Sequence, residues 1–249
     1  MKINVIFSPV NIDELYFTGK TTVVIDVLRA TTTIVTALMH GAKEIIPVGS
    51  VEFAMKASSS MFGGQTLIAG ERNAKMIDGF NLGNSPLEYL NGVIAGKSIV
   101  FYTTNGSKAI VKAKFSQCNI IMSFINITAV ANHLISLDSD FEILCSGHNN
   151  LFSLEDTICA GRLIAAILEK KENCELTDAA KAALSLSKSL GKNIKKMLTT
   201  SEHGKFLFEN GFQDDVNYCA KMDLTEIIPS FNTNSIKILN VKPSNSEMN

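Results

Sequence analysis

Asp26 follows the apolar run Thr22-Val23-Val24-Ile25, and Arg29 and three threonines, Thr31, Thr32 and Thr33, come directly after it. A strand that carries a carboxylate and a cation to its carboxyl end, just before a helix N-terminus, suits an anionic ligand held with a metal ion. A carboxylate there can ligate a hard cation, and Mg²⁺ prefers one or two carboxylates plus phosphate oxygens. The guanidinium of Arg29 is a planar fork matched to phosphate or sulfonate. The threonines can cap the helix and donate hydroxyls. A plain Asp26–Arg29 ion pair, with the threonines only as caps, is the competing account.

Gly70-Glu71-Arg72 repeats the arrangement after the apolar run 66–69. Of 23 basic residues only Arg29, Arg72 and Arg162 are arginines, and two of these follow strand-like runs. In a lysine-biased chain that placement points to required bidentate donors, with a structural ion pair as the alternative. The loop GFNLGNSP, residues 79–86, holds Asn81 and Asn84 among glycines, all tolerant of positive φ. Ser85 then stands as a helix cap with Pro86 at the first helical position. TTNGS, residues 103–107, puts Thr104, Asn105, Gly106 and Ser107 at a helix start, where hydroxyls and N–H groups can form an anion nest. There is no G-x-x-x-x-G-K-[ST], so this is not a nucleotide P-loop. In residues 145–156, CSGHNNLFSLED, Ser153 to Asp156 fits a capping box. That explains one of two adjacent acids. Glu155 and Asp156 differ by about 100° around a helix, so one can cap while the other faces a site. His148 is either a proton donor or an incidental loop histidine.

The elements that must position these groups are readable as alternating patterns. Strand-like runs occupy 2–7, 22–27, 44–48, 66–69, 98–102, 120–123, 141–145, 226–228 and 235–241. Helical patterns fill 33–39, 51–58, 107–114, 127–137 and 154–170, with Ile158, Leu163, Ile164 and Ile167 on one side of the last. This alternation predicts an α/β fold of three α/β/α layers with a mostly parallel or mixed central sheet. Residues 1–241 are read as one domain, in which 177–220 is mainly helical, polar, and carries Lys192, Lys195 and Lys196 as a solvated face. Residues 242–249 read as a tail.

At 249 residues, 46% apolar and 19% charged, the chain is globular in composition. A net charge of -1 supplies no field to attract nucleic acid or an anionic membrane. No apolar run approaches the roughly 18–20 residues that cross a bilayer. The start reads as a strand and not a signal peptide. Five scattered cysteines without a C-x-x-C pair argue against disulfide scaffolding and structural zinc, and point to a cytoplasmic setting. Homo-oligomerisation is compatible with all of this.

The chain resembles the 2-phosphosulfolactate phosphatase family, the ComB-type enzymes. The resemblance rests on VIDVLRATTT (24–33), GER (70–72), GFNLGNSP, TTNGS and CSGHNNLFSLEDTICAG (145–161), with HGKFL (203–207), Asp215 with Cys219, and Ile228-Pro229. It covers nearly the whole chain, with the runs in order. Ser146-Gly147-His148 departs from the alanine-glycine-threonine type of turn expected there. The resemblance implies Mg²⁺-dependent hydrolysis of 2-phosphosulfolactate to sulfolactate and phosphate, a step of coenzyme M biosynthesis in methanogens. Such a substrate carries phosphate, sulfonate and carboxylate on three carbons. On that reading Asp26, Glu71 and Asp156 lie near the metal, and Glu155 is the spare general base. Arg29 and Arg72, with the loops holding Thr32, Asn81, Asn84, Ser85, Thr104, Asn105, Gly106 and Ser107, grip the anionic groups. The aspartate pair of haloacid-dehalogenase phosphatases is absent, since Val27 and Leu28 follow Asp26. Water attack is therefore favoured, with an aspartyl-phosphate on Asp26 kept open.

Two other classes fit part of the pattern. A non-catalytic sulfonate- or phosphate-binding protein needs the arginines and nests but not three or four nearby acids, which are costly beside an anion without a cation. An isochorismatase-like cysteine hydrolase would use Cys145 and needs an activating base beside it.

Overall fold

The computed structural model describes residues 1–60, 66–90 and 92–240, the side chains of 57–60 excepted. Among them are eleven strands: β1 Lys2–Ile6, β2 Thr21–Ile25, β3 Glu44–Pro47, β4 Thr66–Arg72, β5 Lys75–Met76, β6 Ser98–Tyr102, β7 Cys118–Met122, β8 Phe141–Cys145, β9 Glu175–Leu176, β10 Pro229–Asn232 and β11 Ser235–Ile238. The helices are α1 Ala30–Met39, α2 Val51–Ser60, α3 Gly106–Lys112, α4 Ile127–Leu137, α5 Leu154–Leu168, α6 Asp178–Leu190, α7 Ile194–Thr200, α8 Glu202–Glu209 and α9 Gln213–Cys219.

The central strands are apolar on both faces, and their alternation assigns each residue to a layer. Val23 and Ile25 of β2, Ile120 and Met122 of β7, and Ile143 and Cys145 of β8 enter one core, packed against α4 and α5. Val24, Ile121 and Leu144, the residues between them, enter a second core with Ile34 and Leu38 of α1 and Ala109 and Ile110 of α3. This is the three-layer α/β arrangement the sequence predicts, around a mixed, mostly parallel sheet.

The sheet runs in the order β5-β4-β6-β3-β11-β10-β7-β2-β8-β1-β9. Two parallel blocks, β4-β6-β3 and β7-β2-β8-β1-β9, are separated by the β10–β11 hairpin. That hairpin pairs antiparallel with β7 on one side and β3 on the other. Both blocks nevertheless pack on α1 and α3, since Ile45, Ala69, Ile99 and Phe101 join the second core.

Most sequence-predicted elements match within a few residues. The strand expected at 226–228 begins later, at Pro229, where a proline can open a strand without forfeiting a ladder bond. The two-residue strands β5 and β9 are too short to show a period. Val241 and the expected tail lie outside the described residues. The helical part expected at 177–220 is α6 to α9, and Lys192, Lys195 and Lys196 are exposed there. Helix α6 lies so close to α5 that a Cβ on Gly161 would collide with the Ala183 carbonyl. No helix among the described residues is long and apolar enough to cross a membrane.

Candidate active site

A cavity of about 310 Å³ opens where β2, β4 and β6 end. Its sheet-side wall is formed by Asp26, Glu71, Thr104 and Asn105, with Arg29 and Asn84 beside them. Helix α8 supplies the opposite wall through His203, Phe206 and Leu207, and His148 joins it from the loop after β8.

Asp26 immediately follows β2 and caps α1 itself: its Oδ1 accepts from the Ala30 N–H at 3.1 Å. The threonines turn to the backbone instead. Thr31 Oγ1 donates to the Asp26 carbonyl and accepts from the Asp26 N–H. The hydroxyls of Thr32 and Thr33 donate to the Val27 and Asn84 carbonyls. Gly106, which opens α3, lies tight against the carboxylate, and a Cβ there would stand 2.5 Å from Asp26 Oδ2. Burial pushes the Asp26 carboxyl up to about 6, against the opposing pull of His203, the Ala30 N–H and the Ser146 hydroxyl. Glu71 is held from both sides, accepting from the Ala74 N–H at 2.9 Å and the Thr104 N–H at 2.7 Å.

Glu155 and Asp156, in the first turn of α5 behind the Ser153 cap, part company as their angular separation requires. Asp156 accepts from the Val27 N–H at 2.9 Å and the Ser146 hydroxyl at 3.0 Å, and does not line the cavity. Burial, then the charges of Asp26 and Glu155, hold its carboxyl well above the usual range. Glu155 moves the other way. Burial opposes its ionisation, but His203 and nearby hydrogen-bond donors outweigh it, and the carboxyl lies below its ordinary value. The contact runs from His203 Nδ1 to Glu155 Oε1 at 3.4 Å. The His203 ring stacks on His148 with centroids 4.1 Å apart. Burial, then His203, lowers the pKa of His148.

The arginines separate. Arg29 is buried and pairs with Asp215 of α9 at 2.5 Å, not with Asp26; it also donates to the Ala74 carbonyl and lies 4.1 Å from the Phe212 ring. Ser85 Oγ donates to the other Asp215 oxygen at 2.7 Å, so Ser85 serves this pair as well as capping the short 3-10 turn after it. Arg72 is exposed, one residue out of phase with Glu71 on β4, and does not line the cavity. Asn81 is also outside it, its Oδ1 accepting from the Ile68 N–H. Ser107 exchanges hydrogen bonds with Thr103 and donates to the Val48 carbonyl. The nest expected at 103–107 is therefore partly spent internally. Cys145 is fully buried in the core and its thiol is pushed well above the ordinary value, first by burial and then by Asp156, which opposes a thiolate nucleophile.

His203 and Asp215 are missed by residue-level reading. They fall in the helical segment, where spacing carries no strand-end signal, and enter the sequence reading only through HGKFL and the Asp215–Cys219 likeness. The available hint was the unexplained second acid at 155, which implied a cationic partner.

The oxygens along the sheet-side wall suit a hard cation. Asp26 and Glu71 both line the cavity with Asn84 and Thr104, whose Oδ1 and Oγ1 are buried without hydrogen-bond partners among the described residues. All four are hard donors of the kind Mg²⁺ takes. Among the described residues no group of three His, Cys, Asp or Glu is arranged to hold a metal. The set Asp26, Glu71 and Asp156 expected from the sequence is thus not formed, because Asp156 is turned to Val27 and Ser146.

The family description 2-phosphosulpholactate phosphatase matches residues 6–234. A Clostridium novyi protein named "Probable 2-phosphosulfolactate phosphatase" is 42% identical over 231 residues, 93% of this chain and 97% of its own length. One of the same name from Carboxydothermus hydrogenoformans is 42% identical over 229 residues, 92% of each chain. A third, from Symbiobacterium thermophilum, is 39% identical over 221 residues, 89% of this chain and 95% of its own. The chain belongs to the 2-phosphosulpholactate phosphatase family.

Proposed function

We propose that this protein hydrolyses 2-phosphosulfolactate to sulfolactate and inorganic phosphate, with Mg²⁺ as its cofactor. The reading is carried by one observation: two carboxylates, Asp26 and Glu71, line a cavity with Asn84 and Thr104, whose side-chain oxygens are buried without a hydrogen-bond partner among the described residues. Acids crowded at the mouth of an anion site are costly unless a cation joins them. The lining strengthens the point: among the described residues it includes no lysine, and its arginine is already paired with Asp215. The names of the relatives support the substrate, and a cavity of about 310 Å³ suits a three-carbon ester.

Asp26 and Glu71 would hold the ion, with Asn84 Oδ1 and Thr104 Oγ1 as neutral oxygens at its edge. When bound, the ion polarises the phosphoryl group and offsets the charge of the ester. Asp26 is kept in place by the Ala30 N–H and by Gly106. That crowding favours water over Asp26 as the attacking group. Asn105 and the α1 end of the cavity face the remaining anionic groups.

Phosphate release from 2-phosphosulfolactate tests the proposal. Activity is expected with Mg²⁺, absent with EDTA, and retained in Cys145→Ala. Binding without turnover would instead assign a receptor for sulfonates or phosphates, and loss in Cys145→Ala would restore the cysteine route.

A further inference from the structure

The proposed chemistry leaves one demand unmet. Breaking the ester bond of a secondary alcohol pushes an electron pair onto an oxygen that is a poor leaving group unless it gains a proton. The acids of the sheet-side wall are not placed for this. Glu71 accepts two backbone N–H bonds, and Asp26 belongs to the proposed ion site.

The helical wall holds a group that fits. His203 lines the cavity, and its Nδ1 is turned away to Glu155. Glu155 is 3% exposed and stands in the first turn of α5, where the helix dipole favours its anion. An anionic partner fixes the proton of the imidazole on Nδ1 and leaves Nε2 to face other groups. Nε2 has no hydrogen bond to protein among the described residues, whereas His148 Nε2 is taken by Asn149 at 3.1 Å. The stacked ring of His148 limits how far His203 can swing. A buried ion pair adds little net stability once its desolvation is counted, so stability alone is a weak reason for Glu155.

We infer that His203 is the general acid that protonates the ester oxygen as it leaves phosphorus, with Glu155 as its positioning residue. The inference rests on the phosphatase reading above. Water forms the new bond to phosphorus as the ester P–O bond breaks, and its electron pair goes to the substrate oxygen. That oxygen takes the proton from Nε2 of the imidazolium, and the ring keeps its Nδ1 proton toward Glu155. The proton released by the former water, now part of phosphate, returns through solvent to His203. The net change is one ester and one water to one alcohol and one phosphate.

A leaving group that needs no proton separates this role from a structural one. Turnover is compared on 2-phosphosulfolactate and on acetyl phosphate, whose acetate leaves unaided. His203→Gln should lose about 100-fold in kcat on the first and only a few-fold on the second. Glu155→Gln should show the same selectivity with a smaller loss. Imidazole added to His203→Ala should restore turnover of 2-phosphosulfolactate, which a misfolded protein would not allow. Equal losses on the two compounds, or no restoration by imidazole, would overturn the role of His203 while leaving the phosphatase reading intact. A wild-type protein that releases phosphate from neither compound would overturn both.

Discussion

On the sheet side of the cavity, Asp26 and Glu71 stand at the ends of β2 and β4 with backbone N–H groups fixed on their oxygens. On the helical side, His203 and Phe206 ride on an eight-residue helix anchored by the buried Gly204 and Leu207, while Phe206 and Phe208 remain exposed. The first wall is positioned by the backbone of two buried strands, and the second by side-chain contacts of a short surface helix. Charges that must not move are thus placed on the rigid wall. The proton-carrying group occupies the wall held by side-chain packing.

The sharpest break of this contrast is Asp26→Asn. Loss of the charge should lower kcat/KM by about a thousandfold, roughly 4 kcal/mol of transition-state stabilisation. Stability should move the opposite way. The Asp26 pKa rises from 3.8 to about 6 on folding, so the folded protein binds its proton more tightly and loses stability as pH climbs through that interval. Above it the penalty is complete, and in EDTA at pH 8 the Asn variant should melt higher than wild type. Well below pH 3.8 the difference should vanish.

Next in size is Asp215→Ala, which leaves the Arg29 guanidinium buried without its partner and should cost about 3–5 kcal/mol in denaturant unfolding. A small effect would mean that Arg29 can turn into the cavity and bind anions after all. Gly106→Ala should cost about 1–3 kcal/mol, because the added Cβ must displace the Asp26 carboxylate or Ala30. Activity should fall with it, and a rise in the Mg²⁺ concentration needed for half-maximal rate would locate the damage at Asp26. The smallest effect belongs to Arg72→Ala. Its side chain is exposed and off the cavity, so stability and kcat/KM should stay within about 0.5 kcal/mol of wild type. A large loss of activity there would extend the sheet-side wall beyond β4.

The rigid wall was also the legible one. A carboxylate after an apolar run is visible in a linear sequence, and Asp26 and Glu71 both reach the cavity from such positions. Three layers follow from alternating runs for the same reason. Pleat phase was harder to read: Arg72 next to Glu71 is carried to the other face simply because strand side chains alternate. The partner of Arg29 lies 186 residues away, so no local pattern distinguishes Asp215 from Asp26 as its counter-ion. The sequence shows that Glu155 and Asp156 point apart, but not that neither lines the cavity: Asp156 is consumed by the Val27 N–H and Ser146, and Glu155 turns to His203. His203 stayed hidden because nothing in the spacing of helices α7 to α9 says which face meets the sheet.

The hairpin between the two parallel blocks bears on the order of events at the ribosome. Asp26, Glu71, Asn105, Glu155 and His203 all emerge before Pro229, yet the sheet ladder between β3 and β7 is supplied by β10 and β11, which come after them. A nascent chain can therefore carry every reactive side chain while its two parallel blocks are held together only by the α1 and α3 layer. The hairpin β10–β11 then completes one continuous sheet beneath residues that are already in place.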